Sequence, residues 1–179
     1  MSDWNPEREM EVVDGPLAGP LLQRWNAAAR LESHGIPGER PLAWIQTERP
    51  RVIFDRPSNC RPITEWRVSW SPTESLLAAT ASGAILGALQ DRGLELDACS
   101  PLTILASSPT QLILEAPSLR ESTELQPASI LQQWIESSPG TTPAEAGAWA
   151  QAFANAQHAT RAERMRIRAR LHSQVSHRG

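Results

Sequence analysis

The residues of this chain that could carry nucleophilic chemistry are few and widely separated. The two cysteines, Cys60 and Cys99, lie 39 positions apart, and the sequence contains no CxxC pair. Cys60 belongs to the segment SNCRP and has Arg56 and Arg61 as neighbours, and nearby guanidinium groups can lower the pKa of a thiol. No histidine is close to Cys60 in sequence to act as a base. We therefore favour an unreactive loop cysteine over a nucleophile.

Histidines and carboxylates also lack the spacing of a metal site or an acid–base pair. The chain has four histidines, His34, His158, His172 and His177, and none belongs to an HExxH pattern or adjoins a cysteine pair, which are arrangements that bind zinc. Asp55 ends the segment RVIFD, where a carboxylate more often caps a turn than catalyses. Phosphate-loop, dinucleotide-loop and nucleophile-elbow motifs are absent. We predict no catalytic residue, no metal ligand and no cofactor.

Basic residues are concentrated at the C-terminal end. Residues 158–179 contain six arginines and one glutamate, a net charge of +5, whereas the rest of the chain contains 11 arginines and 19 acidic residues, a net charge of −8. Guanidinium groups bind phosphates and carboxylates through paired hydrogen bonds. The candidate partner-binding residues are Arg161, Arg164, Arg166, Arg168 and Arg170.

Helical spacing would place Arg161, Arg164 and Arg168 on one face of this tail and the other two arginines on another. We expect the tail to project from the body and to be removable without loss of the fold. Three interpretations stay open: a solvated helix end, a contact with an acidic protein surface, and a contact with nucleic acid or a membrane surface.

A second candidate surface lies in the segment Ile63–Trp70, with the sequence ITEWRVSW. Apolar and polar residues alternate there, which predicts a strand with Trp66, Val68 and Trp70 on one face. This face either packs as core against the following helix or forms an aromatic surface, Trp66 and Trp70, that stacks a ligand or a nucleic-acid base.

The element that must position these side chains is a helix in the segment SPTESLLAATASGAILGALQDRG. Ser71 and Glu74 have the spacing of a capping box, and Gly93 suits the C-terminal end. Apolar residues occur all round this helix, which predicts a buried central position. Gly83 and Gly87 would let another element approach closely. We expect five residues to be almost fully buried: Leu77, Ala81, Ala84, Ile85 and Ala88.

The remaining patterns predict an α+β fold. A helix follows Pro20, strands are expected at Leu42–Gln46 and Arg51–Asp55, and the run PLTILA forms a hairpin with QLILE. Helices are expected from Ser118, across Ala128–Ser138, and from a capping box at Thr142 into the tail. We predict a single domain with an antiparallel sheet of about five strands on a central buried helix, and a helical C-terminal third.

The predicted organisation has three parts. Residues 1–18 are a loose acidic leader, residues 19–157 form the α+β body, and residues 158–179 form the basic helical tail. The leader has no apolar run, and no segment has the roughly 20 apolar residues of a membrane span. We therefore expect a cytoplasmic protein with reduced thiols. All 17 basic side chains are arginine, which we interpret as the codon bias of a GC-rich bacterial genome.

Two resemblances add expectations about function. The segment SPTESLLAATASGAILGAL, followed by RGLELDA, resembles the central helix of OsmC/Ohr-type peroxide reductases. Those enzymes carry a cysteine in that helix, where this chain has Gly83, and no cysteine follows Cys99. The resemblance therefore implies a degenerate relative without thiol chemistry. The order of elements and the acidic body are similar to those of the small dimeric chaperones of type III secretion.

Three functions remain as hypotheses. The leading one is a non-enzymatic, protein-binding or chaperone-like adaptor, whose partner is another protein or a second copy in a homodimer. The alternative is a nucleic-acid-binding protein that uses the arginine-rich C-terminal helix. The second alternative is a small-molecule enzyme or an OsmC-like protein without its cysteines.

Overall fold

The computed structural model describes residues 8–96, 103–115, 119–121 and 127–176, and it combines helices with short antiparallel strands. The α+β class is thereby confirmed. The strands are β1 (Arg8–Asp14), β2 (Arg40–Ile45), β3 (Arg51–Pro57), β4 (Arg61–Pro62), β5 (Leu94–Leu96), β6 (Thr103–Ser108), β7 (Gln111–Glu115) and β8 (Leu119–Glu121). The helices are α1 (Ala18–Ser33), α2 (Ile63–Arg67), α3 (Pro72–Asp91), α4 (Pro127–Ser137), α5 (Pro143–Asn155) and α6 (Arg161–Ser176).

In the described ranges, these strands form small separate sheets instead of one sheet of five strands. One sheet has the order β1–β3–β2, another β4–β6–β7, and β5 pairs with β8, all antiparallel. A single parallel bridge between Gly38 and Leu114 connects the segment before β2 to β7. Strand β4 has only two residues, which is too short to extend a sheet across the molecule.

Strand β1 corrects the expectation of a loose acidic leader over its described part. Val12 pairs with Ile53 of β3 in an antiparallel register. The acidic residues on β1 pair with arginines of the neighbouring strand; for example, Arg56 Nε donates to Glu9 Oε1 at 2.8 Å. Acidic residues that would repel one another in an isolated leader are therefore neutralised by cross-strand partners.

The segment Ile63–Trp70 is not the predicted strand. Residues 63–67 form α2, and the chain then turns into α3. Ile63, Trp66 and Trp70 are spaced by three and four residues, so the same apolar positions also fit a helical repeat. Ile63 is buried, whereas Val68, which the alternation placed beside the two tryptophans, is 90% exposed.

The predicted hairpin is present in the described residues, because β6 and β7 pair antiparallel with Leu105 opposite Ile113. The region after it differs from the prediction. Residues 119–121 form β8 and pair with β5, with Leu119 opposite Leu96, where we had expected a helix to begin. Ser118, the expected cap of that helix, lies outside the described residues.

Helix α3 has the predicted ends. The Ser71 hydroxyl accepts a hydrogen bond from the Glu74 backbone N–H at 3.3 Å, and the Ser71 backbone N–H donates to Glu74 Oε2 at 2.8 Å. Gly93 follows the helix with a φ of 67°, a left-handed conformation that glycine adopts without steric cost. The start and end of α3 are therefore set by local sequence.

The burial predicted along α3 is wrong at four of five positions. Ile85 is buried, but Ala81 and Ala88 are only half-buried, and Leu77 and Ala84 are exposed. The buried face instead contains the smallest residues of the helix. The physical cause is that the neighbouring helix packs on the face that permits close approach, and this is not the most hydrophobic face of α3. The buried residues are Ala78, Ala79, Ser82, Gly83, Ile85, Leu86, Gly87, Leu89 and Gln90.

Helix α5 lies against this face at backbone distance. A Cβ added at Gly83 would lie 2.3 Å from the Trp149 carbonyl oxygen, and one added at Gly87 would lie 2.5 Å from the Phe153 carbonyl oxygen. The predicted close approach at Gly83 and Gly87 is confirmed. The Trp149 ring stacks on Phe153 at 4.8 Å between centroids and on Trp134 of α4 at 5.8 Å, which makes this contact the centre of the main core.

The C-terminal residues pack on the body and do not project from it. The expected long helix ends at Asn155, and α6 begins at Arg161 with its own cap, in which Glu163 N–H donates to Thr160 Oγ1 at 3.3 Å. Ile167 and Leu171, one turn apart, belong to the main core, and Leu171 is fully buried. Two apolar residues among arginines therefore suffice to attach α6 to α4 and α5.

Candidate functional site

An open cleft lies where α2, the start of α3 and the start of α5 meet; we call it the apolar cleft. Its volume is about 660 Å³, within the usual size range of ligand sites. Val68 and Leu76 contribute exposed apolar side chains, 90% and 39% exposed. The lining residues are Thr64, Arg67, Val68, Trp70, Pro72, Thr73, Ser75, Leu76, Pro139, Gly140, Thr142, Ala144 and Glu145.

The two charged residues of the apolar cleft neutralise each other. Arg67 and Glu145 form an ion pair at 2.9 Å, and both side chains are largely buried. Glu145 Oε2 also accepts hydrogen bonds from the Thr142 backbone N–H at 2.6 Å and from the Thr142 hydroxyl at 3.0 Å. The oxygens of Glu145 are thus already engaged by donors of the protein, which leaves them little capacity to accept a proton from a ligand.

The sequence predicted only half of this arrangement. The capping box formed by Thr142 and Glu145 at the start of α5 was expected from local spacing, and it is present. The pairing of Glu145 with Arg67 joins residues 78 positions apart. No local pattern indicates such a contact, and the interpretation of Ile63–Trp70 as a strand concealed it.

The two tryptophans of the predicted aromatic surface are close together but play unequal roles. Their rings stack with 6.2 Å between centroids, and both are only partly buried against the core. Trp66 Nε1 donates to the Ala106 carbonyl oxygen at 2.6 Å, which fixes it to β6. Trp70 lines the apolar cleft. The geometry thus combines both open interpretations: Trp66 anchors the segment, and Trp70 faces the cleft.

The arginines of α6 separate into two groups. Arg161, Arg164 and Arg168 line a second opening of about 230 Å³ between α5 and α6, which we call the basic cleft. Gln151 and Asn155 of α5 also line it. Arg166 and Arg170 are absent from this lining. The division of the five candidate arginines into two faces therefore agrees with helical spacing.

A buried ionic cluster under the first sheet is the feature that sequence reasoning missed. Arg24 of α1 is bonded to Glu39 at 2.7 Å, to Glu11 at 2.9 Å and to Glu115 at 3.1 Å. Glu39 is only 2% exposed, and Arg56 adds a further bond to Glu11 at 3.2 Å. The Arg24 guanidinium on α1 thus joins β1, β7 and the segment before β2, which makes the cluster a structural junction.

Burial is the main reason why the pKa of Glu39 is raised to about 7, although its bonds to Arg24 oppose the shift. The folded state therefore holds this proton more tightly than the unfolded state does. The contribution of Glu39 to stability is complete below the unfolded pKa of 4.5 and declines as the pH rises to about 7.

The cysteines and histidines form no reactive constellation in the described part of the chain. Cys60 is buried against Leu105 and Ile113, and burial raises the pKa of its thiol despite the charge of Arg56. Cys99 lies outside the described residues. His158 is bonded through Nδ1 to the carboxylate of Asp91, and its backbone N–H donates to the same carboxylate at 2.5 Å, so the pair ties the α5–α6 linker to the end of α3.

Comparisons with models of known protein families, with curated proteins and with solved structures find no match to this chain. Over the described ranges, no group of three or more His, Cys, Asp or Glu side chains is placed to hold a metal ion. None of the helices in the same ranges has both the length and the apolar character needed to cross a membrane. The resemblances to peroxide reductases and secretion chaperones therefore stay predictions.

Proposed function

We propose that the chain is a protein-binding adaptor and that its apolar cleft accepts apolar side chains of a partner protein. The observation that carries this proposal is the neutral, open lining of the cleft: exposed Val68 and Leu76 surround a charge pair, Arg67 and Glu145, that is already satisfied. A concave surface lined mainly by apolar side chains is typical of binding sites. A partner segment that carries apolar residues would bury these side chains without having to compensate a charge.

The same lining argues against an enzyme at this position. A catalytic site needs a group whose protonation or nucleophilicity is set for the reaction. In the apolar cleft, the hydroxyl of Thr142 and the carboxylate of Glu145 are engaged in capping α5. Apart from the paired Arg67 and the Trp70 indole, the remaining polar side chains are hydroxyl groups that have no histidine beside them in the lining. Binding is therefore the chemistry that these residues support best.

The test compares two charged variants in affinity capture from a lysate of the source organism. Val68→Asp combined with Leu76→Asp places two carboxylates in the cleft lining. Leu17→Asp is the matched control, because Leu17 is 67% exposed at the N-cap of α1, where Asp is a favoured residue. The recovered protein is then purified and titrated directly against each variant.

We expect the wild type and Leu17→Asp to bind the purified partner equally and the double variant to bind at least tenfold more weakly. Truncation of a central hot-spot residue costs about 2 kcal/mol or more, whereas most interface residues cost less than about 1 kcal/mol. Each Asp in the cleft adds the cost of removing a charge from water. Equal binding by all three proteins would contradict the proposal for the apolar cleft, as would direct binding that persists after both cleft residues carry a charge.

A second surface favours self-association. The first sheet packs one face on α1, and its other face carries Val12, Ile53 and Ala43 in register across β1, β3 and β2. Met10 and Val12 are 60% and 55% exposed. The charges on this outer face form their own pairs, such as Arg51 with Asp14 at 3.0 Å. Because these charges are already paired, they would add little repulsion between two copies, so a second copy is the proposed occupant.

Sedimentation equilibrium tests this second surface. We expect the wild type to show a concentration-dependent dimer and Val12→Asp to remain monomeric at the same concentration. The Leu17→Asp protein serves again as the control and should dimerise like the wild type. A wild type that stays monomeric over a 100-fold range of protein concentration in this experiment would remove the homodimer from the proposal.

A further inference from the structure

The basic cleft brings three guanidinium groups together in a lining that, among the described residues, includes no carboxylate. Its lining comprises Gln151, Ala154, Asn155, Arg161, Arg164, Met165 and Arg168. Three guanidinium groups therefore surround an opening of about 230 Å³ to which no acidic residue contributes. By contrast, the arginines of the first sheet, such as Arg8, Arg51 and Arg56, each have an acidic partner within 3.0 Å.

The nearest carboxylate on α6 is already occupied. Glu163 accepts bonds from the Thr160 backbone N–H at 2.8 Å and from the Thr160 hydroxyl at 2.6 Å. These bonds lower the pKa of Glu163 and hold it ionised as the cap of α6. Arg164 donates one bond to the Ala159 carbonyl oxygen at 2.9 Å, which positions its guanidinium while leaving further N–H groups. In the described residues, Arg161 and Arg168 have no ion pair.

The spacing of the three arginines fits a row of phosphate groups. With a helical rise of about 1.5 Å per residue, positions 161 and 168 are separated by about 10.5 Å along the axis. In a stacked, helical conformation, one strand of a nucleic acid carries about one phosphate per 3.4 Å of its axis, and thus about three over this length. Acidic side chains on one face of an extended peptide recur about every 6.6 Å, so an extended acidic peptide presents fewer charges over the same length.

We propose that the basic cleft is a binding site for successive phosphate groups, held by the guanidinium forks of Arg161, Arg164 and Arg168 with Asn155 as an additional amide donor. Guanidinium forks match phosphate oxygens in geometry as well as charge. The cleft lining has no aromatic side chain, so it offers no surface on which bases would stack. Recognition is therefore of the phosphates, independent of base sequence.

Two sources carry this chemistry, a single-stranded nucleic acid and an inorganic oligophosphate, and the experiment distinguishes them. The full chain is titrated by fluorescence anisotropy against a fluorescein-labelled 15-nucleotide oligothymidylate, and by calorimetry against sodium tripolyphosphate. An oligoglutamate of equal charge is the third probe. Each titration is repeated at 50, 100 and 200 mM salt.

The site variant is Arg161→Gln combined with Arg168→Gln, and the matched control is Arg166→Gln combined with Arg170→Gln. Both remove two charges from exposed or half-exposed positions of the same helix, and thermal melting checks that both fold. Arg161→Lys combined with Arg168→Lys is a further variant that keeps the net charge and removes the forks.

We expect the wild type to lose about 20-fold in affinity for the oligonucleotide between 50 and 200 mM salt, as three contacts with a single strand predict. The Gln site variant should bind at least tenfold more weakly at 50 mM salt, the Lys variant at least threefold more weakly, and the control within twofold of the wild type. The same pattern with tripolyphosphate but without oligonucleotide binding would identify an inorganic oligophosphate as the source.

Four results would overturn the proposal. One is equal weakening by the site variant and the control, which would reduce the effect to net charge. Another is binding of oligoglutamate as tight as that of either phosphate probe, which would assign an acidic protein segment to the cleft. The third is the absence of binding to both phosphate probes at 50 mM salt, and the fourth is unchanged binding by the Lys variant.

Discussion

Helix α5 packs on two neighbours in opposite ways. Against α3 it makes backbone contact, because Gly83 and Gly87 leave no side chain between the helices. Against α6 it relies on side chains, chiefly Ile167 and Leu171, and the arginines beside them leave the basic cleft open. The first contact has no room for a ligand, whereas the second keeps charged side chains next to an opening. Small residues at the α3–α5 contact therefore allow close packing, which stabilises the fold. Long polar side chains beside the α5–α6 contact leave space in which a ligand could bind.

The largest expected effect comes from breaking the close contact. Gly83→Leu inserts a side chain where even a Cβ would lie 2.3 Å from the Trp149 carbonyl oxygen. We expect loss of more than about 3 kcal/mol of unfolding free energy, at or beyond the upper end for overpacked cores, measured by chemical denaturation. Gly19→Ala is the control, since nothing lies within 4 Å of that Cβ, and it should change stability by less than about 1 kcal/mol. Similar stability of both variants would refute the contact.

The side-chain contact should be weaker but still measurable. Leu171→Ala removes a fully buried side chain of α6, and we expect a loss of about 2–3 kcal/mol, in the lower part of the range for such substitutions. A chain that ends at Thr160 should likewise unfold at a lower denaturant concentration than the full chain, contrary to the expectation from sequence alone. An unchanged midpoint for the shortened chain would mean that α6 is not held in the core.

The smallest expected effect concerns the bond between Asp91 and His158, which links the end of α3 to the segment between α5 and α6. Partial burial raises the pKa of Asp91, but the hydrogen bonds from the His158 ring and backbone together lower it by more than burial raises it. The net shift of the Asp91 pKa is therefore downward. The stabilisation is therefore present above the unfolded pKa of 3.8 and is lost as the pH falls through the lower folded value. The unfolding free energy of the wild type should exceed that of Asp91→Asn by less than about 1 kcal/mol at pH 7.

Denaturation of both proteins at pH 7, 5 and 3 tests this prediction. The difference between them should be smaller at pH 3 than at pH 5. A difference that grows from pH 5 to pH 3 would have the wrong sign for a carboxylate with a lowered pKa, and it would place the stabilisation in another group.

Local sequence predicted the starts of α3 and α5, because a capping box needs residues only three positions apart, Ser71 with Glu74 and Thr142 with Glu145. It failed where the deciding partner is distant. The apolar residues of Ile63–Trp70 fit both a strand and a helix, and the bond from Trp66 to Ala106, 40 positions away, accompanies the helical outcome.

The face of α3 that is buried was likewise not readable from its own residues. Hydrophobicity favoured Leu77, which is 45% exposed, whereas the close approach of α5 selected Gly83 and Gly87. The candidate sites show the same limit. The arginine positions of the basic cleft followed from helical spacing, but the apolar cleft depends on a pair, Arg67 and Glu145, that only the folded chain brings together.

The stacked rings of Trp134, Trp149 and Phe153 have an optical consequence. The chain contains no tyrosine, so its ultraviolet emission arises from tryptophan alone, and two of those indoles are fully buried in this one stack. Coupled indoles in a rigid apolar setting give a strong near-ultraviolet dichroism band and blue-shifted emission. Separation of α5 from α3 would therefore shift the emission maximum of the intrinsic tryptophan fluorescence, so this motion can be followed without an added dye.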